Sequence, residues 1–112
     1  MQLTDVENII ATRELTLEDG KKVTVVIGQP RKFDEGDDYY CPFQISGIDN
    51  GRISYAGGID AIQAFELALK KIGTILYTSE EAKSGKLTWD AGVDGYLGFP
   101  LPDSIRDLGA SK

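Results

Sequence analysis

The chain contains no histidine. It therefore lacks the commonest metal ligand and the only side chain that titrates near neutrality unperturbed. Ser-His-Asp and Cys-His nucleophilic sites, and zinc sites built on histidine, are excluded within one chain. There is a single cysteine, Cys41, so no disulfide can form inside the chain. Long apolar runs are missing too, and nothing approaches the ~20 residues that cross a bilayer as a helix. The start, Met1-Gln2-Leu3-Thr4-Asp5, has neither the basic cluster nor the apolar core of a signal peptide. Positive charge is scarce: 12 Lys and Arg stand against 18 Asp and Glu, a net charge of −6. Nucleic-acid binding needs basic side chains to displace counterions, and this balance argues against it. Together these absences lead us to expect a cytoplasmic protein with no membrane contact, no nucleic-acid partner, no metal and no other cofactor.

What is present suits one small globular domain. A chain of 112 residues leaves little room for a second domain. Folding at this size hides roughly two-thirds of the unfolded surface, enough for a core without staples. We expect one domain over 1–112, with 1–7 and 109–112 as loose ends.

The apolar pattern begins with period 2. Ile9, Ala11, Leu15 and Leu17 share one phase of "NIIATRELTL". Asp19-Gly20 supplies the positive φ of a tight hairpin turn. Val23, Val25 and Ile27 then alternate with Lys22, Thr24 and Val26. After the charged loop "GQPRKFDEGDD", Tyr39, Cys41, Phe43 and Ile45 lie in one phase, with Ile53 and Tyr55 continuing it after a turn at 49–51. Pro42 cannot donate to a ladder, so it belongs at an edge, a bulge or a strand start. The expected strands are Ile9–Leu17, Lys22–Gly28, Tyr39–Gly47 and Arg52–Gly57.

The period changes at Gly57-Gly58. Ile62, Phe65, Leu69, Ile72 and Leu76 recur at helical spacing and define an expected buried seam. Asp60 suits the N-cap, with Gln63 placed to complete a capping box. Glu66 and Lys70 stand in the favourable i, i+4 order. Gly73 interrupts this helix, Ala61–Tyr77, at a cost that close approach to the sheet explains. Ser79, Glu80, Glu81 and Gly85 read as a second short helix with its cap and stop. Lys86 to Trp89 has the look of a short strand. The apolar, Gly- and Pro-rich stretch beyond it should lie extended over the domain, with one helical turn near Pro102 to Leu108. The expected architecture is α+β: a four-stranded antiparallel sheet of two hairpins, packed against one long α-helix, with an extended C-terminal segment.

The segments "IATRELTL", "VTVVIGQPR", "YYCPFQISG", "GIDAIQAFELALKKIGTILY" and "GYLGFPLP", in this order, give the chain a recognisable signature. It resembles a family of small bacterial proteins classed as a domain of unknown function, over Ile9 to Pro102. The helix segment and "LGFPLP" carry the likeness most specifically. The resemblance implies a bacterial, intracellular protein and transfers no activity, substrate or catalytic residue.

Several residues have chemistry to offer. Arg13 stands in the phase of Ile9, Ala11, Leu15 and Leu17, and a buried Arg needs a carboxylate or carbonyl partner. It either binds an anion in a half-buried cleft, or a β-bulge or a snorkelling side chain turns it outward, the commoner behaviour. Asp34, Glu35, Asp37 and Asp38 put four carboxylates into five residues without the ligand spacing of a calcium loop. They form either a solvated connector or a contact for a basic protein. Gly57-Gly58 precedes a helix start, but Asp60 repels the phosphate such a start would attract. Cys41 lies in the apolar phase and has no base beside it, so it reads as an inert thiol. Trp89, Tyr96 and Phe99 close either a small core, a ligand pocket or a dimer interface.

Three function classes compete. The first is a non-catalytic, acidic protein-binding domain of inhibitor or immunity type, acting on a basic protein through Asp34, Glu35, Asp37 and Asp38. The second is a small-ligand module using Arg13 and Trp89 with the other C-terminal aromatics. The third, an enzyme working with carboxylates such as Asp60 and Glu66 or Asp37 and Asp38, ranks last because no pair converges. The first is the expectation, with the domain a monomer or homodimer and not an enzyme.

Overall fold

The computed structural model describes residues 5–48 and 50–101. The expected turn at Pro102 to Leu108 and the ends 1–4 and 109–112 lie outside them. Six strands and two helices run in the order β1 (Ile9–Leu17), β2 (Lys22–Gly28), β3 (Arg31–Lys32), β4 (Tyr39–Ser46), β5 (Ile53–Gly58), α1 (Ala61–Tyr77), α2 (Glu80–Lys83) and β6 (Leu87–Thr88). Every pairing is antiparallel. The α+β class stands, but the sheet has six strands where four were expected. The helix expected at Ala61–Tyr77 has 17 residues, and the short helix expected after Ser79 is a separate one of four residues.

The two expected hairpins, β1–β2 and β4–β5, sit side by side through β2 and β4. On the β2 side of β4, the chain breaks after Gly28 and resumes as β3 beside Tyr39 and Tyr40. Pro42 sits at this break, paired only with Tyr55 of β5. A central strand thus tolerates a proline where its neighbour's ladder is already interrupted. The outer layer at this point is Val6, buried inside the stretch expected to be loose. A β-carbon on Gly28 would run into Pro42 and Val6, so glycine there lets the lead-in lie against the sheet.

Register decides which face is the core. Leu15 pairs with Val23, Arg13 with Val25 and Ala11 with Ile27, so these share a face. Ile27 pairs with Phe43 and Val25 with Ile45, and Cys41 pairs with Ala56. All the apolar members except Ala11 are buried. The phase of β5 is the reverse of the one expected. Ser54 and Ala56 face the core opposite Phe43 and Cys41, while Ile53 and Tyr55 lie on the outer face. The reason is the helix above: α1 packs over β4 and β5 and needs small residues beneath it.

The helix shows the same preference. Its buried residues are Ala64, Ala68, Ile72, Gly73 and Leu76. The expected seam is displaced: Ile62 is 76% exposed, and Phe65 and Leu69 are half-buried on one flank. Alanine at 64 and 68 lets the helix axis approach the sheet, and a β-carbon on Gly58 would strike the backbone of Gln63 and Ala64. Asp60 caps the helix by accepting from the Gln63 N–H at 2.7 Å, and the Gln63 amide oxygen accepts from Ile59 N–H at 2.7 Å. Lys70 meets Glu66 at 3.6 Å as the spacing requires. Gly73 faces the C-terminal segment, not the sheet: a β-carbon there would collide with the Pro100 carbonyl. No helix among the described residues is long and apolar enough to cross a membrane.

Candidate functional site

Arg13 lies on the core face of β1, directly opposite Val25. The strand does carry a bulge, but between Ile9 and Ala11, so it reverses the phase of Ile9 and leaves Arg13 pointing inward. No acidic side chain among the described residues pairs with it. Two rings and a carbonyl serve instead. The guanidinium carbon is 4.2 Å from the Trp89 ring centroid and 5.0 Å from that of Phe99. One terminal nitrogen donates to the Gly98 carbonyl at 2.6 Å. A cation held over aromatic faces gains about 0.5–2 kcal/mol per good contact. Gly98 has φ +83, and a β-carbon on it would strike the guanidinium and the Trp89 ring. Glycine is required there by conformation and by space.

The segment Leu97 to Pro100 is therefore a strap across the β1–β2 half of the core face. Tyr77, the last residue of α1, fastens its other side. The Tyr77 hydroxyl accepts from Leu97 N–H at 2.9 Å and donates to the Phe99 carbonyl at 3.2 Å. Burial raises the pKa of this hydroxyl, and the bond it accepts from Leu97 N–H opposes the rise. Leu97 and Phe99 are buried in the main core. Arg13 and Trp89, singled out separately in the sequence, thus meet, and their common partner is the chain's own strap. It occupies the place that the alternative reading, a small-ligand module, gave to a ligand.

The strap does not close this half completely. A groove of about 240 Å³ remains between the strand floor of Ala11, Val25 and Ile27, the helix flank of Phe65 and Leu69, and Phe99. Arg13 forms part of its wall.

The acidic loop lies elsewhere, joining β3 to β4. Asp34, Glu35, Asp37 and Asp38 are all exposed. Gly36 at φ +89 makes the turn, Phe33 N–H donates to the Asp38 carbonyl at 2.9 Å, and Lys32 reaches Asp37 at 3.3 Å. Sequence reasoning missed the neighbours of this loop. Phe33, Tyr40 and Tyr55 cluster on the outer face, with ring centroids 5.0 Å apart for Phe33 and Tyr40 and 6.0 Å for each other pair. The lone phenylalanine inside "RKFDEGDD" was the available signal, since a polar connector has no use for it. Tyr77 gave no such sign, because its role depends on where the strap runs.

Cys41 is fully buried, and burial pushes its thiol pKa to about 11. Such a thiol stays protonated at neutral pH. No curated protein and no solved structure matches the chain. The sequence model of the family described as "Domain of unknown function (DUF6968)" matches residues 11–101, most of the chain, and the chain belongs to that family.

Proposed function

We propose that the domain is a non-catalytic binding module for a basic protein partner, engaged through the β3–β4 end of the outer face. The observation that carries this reading is the aromatic cluster of Phe33, Tyr40 and Tyr55 beside four exposed carboxylates. Tyrosine and phenylalanine are enriched at interface centres, where they bury much area at little entropic cost. Charges at the rim chiefly raise the association rate and reject partners of the same sign. Asp34, Glu35 and Asp38 have no ion-pair partner among the described residues, and Asp37, 99% exposed, keeps its Lys32 contact in water. Exposed pairs of this kind add little stability. A contact role accounts for the carboxylates better than a structural one. The bacterial, cytoplasmic setting expected from the sequence suits an inhibitor- or immunity-type domain.

The test is a differential capture from source-cell extract. Three baits are compared: the wild type, the quadruple Asp34→Asn, Glu35→Gln, Asp37→Asn, Asp38→Asn variant, and the Phe33→Ser, Tyr40→Ser pair. The reading predicts a basic protein retained by the wild type, reduced with the first variant and lost with the second. Identical protein sets on all three baits contradict it.

A further inference from the structure

The free side of β1 lies apart from that contact and does not depend on it. β6 pairs with β1 only at Thr16 and Leu17. Among the described residues, no strand pairs with that side from Ile9 to Glu14. Leu17 N–H donates across the hairpin to the Lys21 carbonyl at 2.8 Å. Backbone groups alternate sides along an antiparallel strand, so beyond the bulge, from Ala11 to Leu17, the odd residues of β1 bond toward β2. Thr12 and Glu14 then direct their N–H and C=O toward the open edge. Native edges are usually guarded by proline, lysine or a covering loop. Here the edge begins with Ile9 and Ile10, 53% and 52% exposed, and carries neither proline nor lysine.

We propose that this edge takes up an extended segment of a partner protein as an added strand, with an Asp or Glu two residues from an apolar side chain. The groove sets that chemistry. Residues of an added strand standing opposite Ala11 and Arg13 point to the core face, because directly paired residues share a face. One of them enters the apolar groove beside Ala11, Ile27 and Phe65. The other comes beside Arg13, a cation with no carboxylate partner among the described residues. The period of two along a strand fixes their separation. Strand addition of this kind takes affinity from main-chain bonds and specificity from alternate side-chain pockets.

The test uses an acetylated, amidated peptide Thr-Glu-Thr-Leu-Thr-Val-Thr, whose order places Glu opposite Arg13 and Leu opposite Ala11 in an antiparallel pairing with β1, titrated into the isotope-labelled domain and followed by amide chemical shifts. The expected result is saturable shifts centred on Ile9 to Glu14, with the Phe65 and Leu69 side chains also moving. Replacing the peptide's Glu by Lys should weaken binding at least tenfold. Thr12→Pro removes only an outward N–H and should abolish binding while leaving the thermal melt cooperative. If that variant fails to fold, a peptide N-methylated on alternate backbone nitrogens asks the same question of the intact domain. No binding at millimolar peptide, shifts centred elsewhere, or equal affinity for the Glu and Lys peptides would overturn the proposal. So would a concentration-dependent dimer abolished by Thr12→Pro, because a second copy would then own the edge.

Discussion

The two halves of the core face are covered in different ways. Over β4 and β5 lies α1, a regular helix with small residues at 64 and 68 and full burial of Ile72 and Leu76. Over β1 and β2 lies the strap, an irregular segment held by one arginine, one tyrosine and a glycine at positive φ. The helix-covered half is held mainly by packing, which spreads its energy over many contacts. The strap-covered half adds a few directional contacts to the burial of Leu97 and Phe99, and it leaves a groove. Proteins place their openable parts where few buried contacts must be broken. The strap, irregular and tied by directional contacts, is the part expected to open first, and it lines the groove.

The largest difference should appear on truncating side chains. Ile72→Ala empties a fully buried site beneath the helix and should cost about 2–5 kcal/mol in urea melts. Phe65→Ala and Leu69→Ala, on the half-buried groove flank, should cost about 1 kcal/mol each, since only part of their area is withdrawn from water. Equal losses at 65, 69 and 72 would erase the distinction between packed half and grooved half. Next comes Gly98→Ala, which forces an unfavourable φ and a clash with Arg13 and Trp89. It should cost about 1–3 kcal/mol and shift Trp89 fluorescence to the red as the ring leaves Arg13. An unchanged emission maximum would mean that the strap is not seated on that pair.

Arg13→Gln follows. It removes the cation from two rings and should cost about 1–2 kcal/mol, with the same fluorescence shift. Its urea midpoint should fall less than that of Ile72→Ala. The smallest effect concerns pH. The Cys41 thiol ionises near pH 9.0 when solvated and at about 11 in the fold. A raised acid pKa means that the native state keeps its proton longer. Its contribution to stability is therefore whole below pH 9 and is lost as pH rises toward 11. Cys41→Ser, read by melts at pH 8 and pH 10.5, should abolish that part of the slope. A thiol reagent should label native Cys41 slowly, at the rate at which the helix-covered half opens.

How much of this was legible in the sequence follows the same division. The bounds of β1, β2 and α1 came from clean period-2 and period-3.6 patterns with Asp-Gly and Asp60 as punctuation. Inside α1 the pattern misled, because the largest apolar residues marked the flank and the alanines marked the centre. Hydrophobicity weighs Phe65 above Ala64, whereas closeness to the sheet favours the smaller residue. The reversed phase of β5 has the same cause. β3 was missed because Arg31 and Lys32 carry no apolar signal, only backbone pairing to Tyr39 and Tyr40. For the strap half, Arg13 could be recognised as out of place and Trp89 as too large to float. Their meeting could not be, because it joins residues 76 positions apart through a segment without periodicity. The acidic loop was visible as charge, and its aromatic neighbours were hidden by being split between a loop and two strands.

Native-state hydrogen exchange, read residue by residue, tests the two-cover account most directly. The amide of Leu97, bonded to the Tyr77 hydroxyl, reports on the strap, and the amide of Ile72 reports on the helix-covered half. The account predicts that Ile72 exchanges only through global unfolding, its rate falling in step with total stability. Leu97 should exchange through a local opening of distinctly lower free energy, nearly independent of dilute denaturant. Equal opening free energies for Leu97 and Ile72, with the same denaturant slope, would contradict it and make the strap an integral part of one cooperative core.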